Sequence, residues 1–289
     1  MASVDVLLNG KEHTSPVRQA RVVVNDSGQS YTNRLLVGTP ATGNVRIEWM
    51  AARMNQQLPI NWSMGTLLQA MGGYYPLRYL VADAQNLIIA EAMRLDYEWV
   101  LLHEHDVILP PDTFVKLNRY MLAKSAPVVS GLYFSRSYPS DPMVFKTLGD
   151  SYATDWRIGD VVEVAAVPTG IVLIHMGLIR AMWPDCEEYT LKGQRVRRVF
   201  NTPRDSYYNP DTGQYTAGAM TSDLDWCERV KAGGYLAKAG WTDYADKERP
   251  FLVDTAINCG HINPDGTVFP NAALLAEFGA QHDVHSPLW

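Results

Sequence analysis

His103-Glu104-His105-Asp106 sets four side chains able to bind a metal or move a proton side by side, directly after the apolar run Trp99-Val100-Leu101-Leu102. Strand period two would put Glu104 and Asp106 on one side and His103 and His105 on the other. In open α/β sheets ligands bind outside the carboxyl ends of strands, and hard carboxylate oxygens there favour Mg²⁺ or Mn²⁺, which bridge to phosphate oxygens. Two other readings fit the same residues. The pair can simply mark where a strand meets solvent, and His103 with His105 can form an HxH pair for Fe²⁺ in a cupin-like oxygenase.

Further chemistry-bearing residues follow downstream. Thr221-Ser222-Asp223-Leu224-Asp225-Trp226-Cys227 opens a helix, with Ser222 or Asp223 as cap and Leu224, Cys227 and Val230 as the buried stripe. His261, in Ile257-Asn258-Cys259-Gly260-His261-Ile262, is a competent ligand for Mn²⁺ as neutral imidazole, or an ordinary hydrogen-bonding residue. Arg195, Arg197 and Arg198 could meet an anionic acceptor, although a solvated strand face explains them as well.

The elements that must hold these residues alternate. Arg34 to Gly38 reads as a buried strand running into Thr39-Pro40, which is also an ordinary β-to-α loop. Ile47, Met50, Ala51, Met54 and Leu58 predict the apolar stripe of a helix over 44–57. Ile60 to Met64 reads as a strand, and Leu80, Ala84, Leu87, Ile88, Ala92 and Leu95 mark a helix over 80–95. Pro110-Pro111-Asp112 predicts a capped helix through Leu122, and Ala126 to Leu132 and Val161 to Ala165 predict further strands. This order implies an α/β fold with a mostly parallel sheet flanked by helices. Those amphipathic helices argue against a cupin barrel. Residues 1–33, with β-like runs at Val4-Leu8 and Arg21-Asn25, read as an added β arm, and 187–218 reads as a flap or a surface hairpin.

Composition narrows the class. The 289 residues are enough for a sizeable core, so a whole domain rather than a fragment is expected, and 47% hydrophobic with 19% charged residues predicts globular folding. A net charge of -6 argues against an extended nucleic-acid surface. The isolated cysteines Cys186, Cys227 and Cys259 offer neither a disulfide framework nor a CxxC site. With no signal-like start and no run long enough to span a membrane, a cytoplasmic protein without a transmembrane segment is expected.

The stretch from Tyr97 to Asp112 resembles the DxD region of GT-A fold nucleotide-sugar glycosyltransferases of the family 2 kind, with Glu104 in place of the commoner Asp. Ala82-Asp83-Ala84-Gln85-Asn86 resembles the family's "ARN" helix start, Gln85 replacing Arg, and Thr221 to Tyr235 resembles its "EDxxFCxRxxxxG" helix, Ser222 standing where Glu is frequent. Asn258-Cys259-Gly260-His261 resembles the late "GH" element, and Val167-Pro168-Thr169-Gly170-Ile171 the Gly-containing strand of the acceptor pocket. The resemblance spans about Arg34 to His261 and implies a GT-A domain over 34–289, with a nucleotide-sugar half at 34–131 and an acceptor half at 132–289. It implies a sugar moved from a nucleotide-diphosphate donor to an acceptor, whether glycan, protein or small molecule. Glu104, Asp106 and His261 would hold Mn²⁺ or Mg²⁺, and Thr39, Pro40, Asp83 and Gln85 would join the two acids around the donor. Asp223, or Asp225 in its place, would be the general base; an inverting transfer needs one and a retaining transfer does not. A non-catalytic nucleotide-sugar or glycan-binding protein on the same fold is the alternative.

Overall fold

A computed structural model of the chain describes residues 4–8, 11–15, 34–137, 140–148, 155–209 and 214–270, with backbone alone for 4–8, 11–15, 204–209 and 214–219. Strands β1 (Val4–Leu8) and β2 (Lys11–Ser15) form an antiparallel pair. The first β-like run of the arm is thus a strand, whereas Arg21–Asn25 lies outside the described residues. The chain continues as β3 (Leu35–Gly38), α1 (Ile47–Met54), α2 (Met64–Gly72), α3 (Val81–Arg94), β4 (Trp99–His103), β5 (Val107–Ile108), α4 (Thr113–Ala123) and β6 (Val128–Leu132). Then come β7 (Val161–Val164), β8 (Ile171–His175), α5 (Met176–Met182), and the hairpins β9 (Glu188–Leu191) with β10 (Gln194–Arg197) and β11 (Arg204–Asn209) with β12 (Gln214–Ala219). The remainder is α6 (Ser222–Ala232), α7 (Tyr235–Lys238), α8 (Thr242–Ala245), β13 (Phe251–Asn258), β14 (Gly260–Ile262) and β15 (Val268–Phe269).

Six strands form the central sheet in the order β3-β4-β8-β6-β13-β7. The pairs β3/β4 and β6/β13 are parallel, while β8 runs against both neighbours and β7 against β13. Four strands therefore share one direction and two oppose it, a mostly parallel, Rossmann-like α/β sheet. Its inner strands β4, β8 and β6 are mostly apolar because both faces are covered. Leu36, Val100, Leu102, Val172 and Ile174 face a core shared with Ile88, Ile179 and Trp226 of α3, α5 and α6. Their alternates Leu35, Val37, Trp99, Leu101 and Leu173 pack on Ala70 of α2 and Phe114, Leu117 and Met121 of α4.

Some expectations are corrected. Helix α1 is shorter than 44–57 and buries Trp49 and Arg53, leaving the expected stripe outward, with Ile47 76% and Met54 63% exposed. The indole and guanidinium win the interior because each finds carbonyl acceptors there: Trp49 Nε1 donates to Glu104 O at 2.9 Å, and Arg53 Nη2 donates to Ala70 O. Residues 60–64 form no strand; Pro59 and Asn61 bring a turn, and Ser63 caps α2 by accepting from Thr66 N at 3.1 Å. Asp112 precedes α4 as expected, yet its carboxylate pairs with Lys116 at 2.8 Å instead of capping. Helix α6 starts one residue after Thr221; Cys227 and Val230 are buried and Leu224 partly so. All three cysteines are free and buried. Among the described residues no helix is long and apolar enough to cross a membrane.

Candidate functional site

The carboxyl ends of β3, β4, β6 and β13 open on one edge of the sheet. Because β8 is antiparallel, it contributes its start, Thr169-Gly170, to that same edge. Strand β4 stops at His103, and residues 104–106 turn out of the sheet, with Glu104 N donating to Gly170 O at 2.8 Å. Period two thus ends one residue before the acidic pair. What separates the acids from the histidines is the turn. His103 is fully buried against Trp49, with ring centroids 5.1 Å apart, and its Nε2 lies 2.7 Å from Val107 O. A carbonyl only accepts, so the proton sits on Nε2. Burial, the largest cause, pushes its pKa down to about 3. His105 turns the other way, its Nδ1 3.1 Å from Pro40 O and its Nε2 3.3 Å from Thr42 Oγ1. The two histidines share no site, and the sheet is not a barrel, so the Fe²⁺ oxygenase reading falls.

Glu104 belongs to a buried chain of hydrogen bonds. Ser222 Oγ donates to Gln85 Oε1 at 2.9 Å, Gln85 Nε2 donates to Thr169 Oγ1 at 2.9 Å, and Thr169 Oγ1 donates to Glu104 Oε1 at 3.4 Å. Burial, then the negative charges of Asp106 and Asp223, raise the Glu104 pKa to about 8, while the Thr169 hydrogen bond and Arg136 oppose the shift. Gln85, with no exposed surface, spends both ends of its amide on this chain, so the expected donor contact is a buried strut. Asn86 beside it ties α3 to the second half of the chain: its Nδ2 donates to Phe200 O at 2.9 Å and its Oδ1 accepts from Phe200 N at 2.8 Å. Asp83 accepts from Tyr189 Oη at 2.8 Å and so anchors the β9/β10 hairpin to α3.

Asp106 has a different setting. Its Oδ2 accepts from Arg136 Nη1 at 2.8 Å and faces His261 Nε2 at 3.6 Å, while the buried Oδ1 has no partner among the described residues. Burial works to raise its pKa, but the N–H and positive charge of a protonated His261 ring, then Arg136, outweigh it and hold Asp106 below the usual carboxylate range. A small sheet brings His261 here: β14 pairs with β5 and β15, and Ile262 N donates to Asp106 O at 2.8 Å. His261 Nδ1 lies 2.8 Å from Phe134 O, which fixes the proton on Nδ1 and leaves Nε2, in the neutral ring, with its lone pair towards Asp106.

These atoms suit a cation: an orphaned carboxylate oxygen, a second oxygen opposite an imidazole lone pair, and hard donors of the kind Mn²⁺ or Mg²⁺ takes. The expected set of Glu104, Asp106 and His261 is nonetheless divided. Among the described residues no group of three or more His, Cys, Asp or Glu side chains is gathered closely enough to hold a metal, and Glu104 is drawn towards Thr169. Thr39, 1% exposed, follows β3, and its Oγ1 also lacks a partner among the described residues. Pro40 holds His105 through its carbonyl.

At the start of α6, Asp223 Oδ1 accepts from its neighbour Leu224 N at 3.0 Å, and its charge acts on Glu104 and Tyr133. Asp225 is committed to Arg229 at 2.8 Å. Arg198 pairs with Glu187 and Arg197 donates to carbonyls of residues 183 and 184, whereas Arg195 is 80% exposed and only loosely paired with Glu188 at 3.5 Å. Sequence reading missed Tyr133 and Arg136 here, and it named Thr169 only as part of the stretch around Gly170. Tyr133 explains Gly170, since a Cβ at Gly170 would overlap the Tyr133 ring and Gly170 N donates to Tyr133 Oη at 3.0 Å. The space that the missing side chain leaves at Gly170 is filled by the Tyr133 ring. Arg136 was legible as a charge four residues past the end of an apolar strand.

No family model matches the chain, and no curated protein matches it. Among solved structures it is similar to A197 from STIV, at 14% identity and a TM-score of 0.47, over 81% of this chain and 92% of that one. It is also similar to S. aureus TarS 1-349 in complex with UDP, at 12% identity and a TM-score of 0.32, over 54% of this chain and 50% of that one. A third is CMP:2-keto-3-deoxy-manno-octonic acid synthetase complexed with CTP, at 9% identity and a TM-score of 0.27, over 86% and 99%. These scores are low, and the functional reading rests on the residues.

Proposed function

We propose that this chain is a divalent-cation-dependent glycosyltransferase of the GT-A kind, moving a sugar from a nucleoside-diphosphate donor to an acceptor hydroxyl. The observation that carries the reading is the pairing of Asp106 with His261: one carboxylate oxygen faces the imidazole Nε2 at 3.6 Å and the other is buried without a partner among the described residues. Asp106 and His261 would hold Mn²⁺ or Mg²⁺, with Glu104 from the same turn as the nearest further carboxyl. A bound cation supplies charge neutralisation for the departing diphosphate.

The remaining roles belong to the chain. The 39–42 loop, at the carboxyl end of β3, would border the nucleotide, with Thr39 buried beneath it. Asp223 takes the proton of the attacking hydroxyl; it is preferred to Asp225 because Arg229 occupies Asp225. The buried chain from Ser222 to Glu104 fixes the start of α6 against the acidic turn, which keeps the base and the cation residues in register. The test is incubation with a panel of UDP- and GDP-sugars and Mn²⁺, following nucleotide release with and without chelator. Chelator-sensitive release supports the reading. Donor binding with neither transfer nor hydrolysis across varied acceptors would assign a binding protein instead.

A further inference from the structure

Arg136 occupies the oxygen that the proposed cation would need. Its Nη1 lies 2.8 Å from Asp106 Oδ2, the same oxygen that His261 Nε2 faces at 3.6 Å. The loop presenting it is braced: Ser135 N donates to Asp141 O at 2.9 Å, Asp141 N donates to Ser135 Oγ at 2.9 Å, and Ser140 Oγ donates to Ser135 O at 2.5 Å. Two residues earlier, Phe134 O takes the Nδ1 proton of His261. One loop therefore fixes both the imidazole and the guanidinium on a single carboxylate. Arg136 is 37% exposed, so it can leave Asp106 for a ligand without unpacking any core.

Charge gives the exchange its direction. Asp106 and Asp223 stand at this edge beside Glu104, and a diphosphate meets carboxylates unless positive groups turn towards it. A divalent cation beside Asp106 repels the guanidinium and competes for the same lone pair. A guanidinium matches phosphate oxygens as well as carboxylate oxygens, through two parallel N–H donors. We infer that Arg136 is an exchangeable latch: it pairs with Asp106 in the free protein and, when a divalent cation takes Asp106, transfers to the phosphates of the donor. This rests on the cation reading above and adds to it a residue that recognises the donor's anionic part.

The experiment uses the full chain and two base-independent probes, Mn²⁺ alone and inorganic pyrophosphate with Mn²⁺, measured by electron paramagnetic resonance and calorimetry. Arg136→Gln removes the competitor, so Mn²⁺ alone binds several-fold tighter than to wild type, while pyrophosphate with Mn²⁺ binds about tenfold weaker, equivalent to about 1.4 kcal/mol. Arg136→Lys, which keeps the charge without the planar fork, recovers part of the pyrophosphate affinity. Unchanged or weaker Mn²⁺ binding in Arg136→Gln overturns the latch. Asp106→Asn separates the two claims: if it weakens Mn²⁺ binding while Arg136→Gln leaves both affinities unchanged, only the latch fails. If wild type and Asp106→Asn bind Mn²⁺ equally, the cation site fails and the latch with it.

Discussion

The inner and outer halves of the site come from one short turn and behave in opposite ways. Inside, Glu104 ends a chain of hydrogen bonds through Thr169, Gln85 and Ser222, and its carboxyl is pushed up to about 8. Outside, Asp106 stays a carboxylate, held by Arg136 and faced by His261, with one oxygen unpartnered among the described residues. Two acids two residues apart are thereby given different work by their surroundings. The inner half fixes positions, and the outer half keeps valences open for ligands.

Substitutions can break this contrast, starting with Asp223, whose charge acts on Glu104. Asp223→Asn should lower transfer by about 100-fold or more, the scale of losing a general base, with little change in donor affinity. Its control, Asp225→Asn, weakens a partly buried ion pair with Arg229 on α6 and should leave turnover unchanged. Steady-state kinetics on the two variants decide between the two aspartates; equal losses would erase the distinction.

Glu104 tests the inner half through stability. Its folded pKa, about 8, lies above the ordinary 4.5, so the contribution of its protonated form is complete below about 4.5 and lost as pH rises through about 8. Gln carries no such dependence. Glu104→Gln should therefore gain on wild type as pH rises across that window and melt higher at pH 9, by about 2–4 °C for each kcal/mol recovered. Melting curves from pH 4.5 to 9 with parallel profiles for both proteins would contradict the buried, charge-crowded setting.

A smaller effect comes from Thr169→Val, which keeps the shape and removes the hydroxyl between Gln85 and Glu104. The buried Gln85 amide then lacks its acceptor, at a cost of about 1–3 kcal/mol in urea unfolding. Combined with Gln85→Leu the loss should fall short of the sum, because the two side chains share one bond. Strict additivity would show that the chain is not coupled.

Much of the scaffold was legible because it follows from periodicity. The helical stripe Ala84, Leu87, Ile88 and Ala92 and the buried runs at 35–38, 99–103 and 128–132 are where the pattern puts them. Helix α1 was misread because Trp49 and Arg53, with polar atoms that reach interior carbonyls, outcompete Ile47 and Met54 for the buried face. In the site, the juxtaposition of Asp106 and His261 was expected from motif order. The contacts of Arg136 with Asp106 and of Thr169 with Glu104 were not, since a linear pattern marks a charge past β6 and a stretch before Gly170 but not which carboxylate each one meets. Gln85 looked like a ligand contact until the structure showed both ends of its amide occupied.

The central claim, that Asp106 serves a cation gripping a nucleoside-diphosphate donor, is tested most directly by donor turnover in Asp106→Ala with Mn²⁺ present. The account predicts a fall of at least about 100-fold, the scale of removing one preorganised charge-stabilising group, with a melting temperature close to that of wild type. Wild-type turnover in Asp106→Ala after chelation of all divalent metal would contradict it.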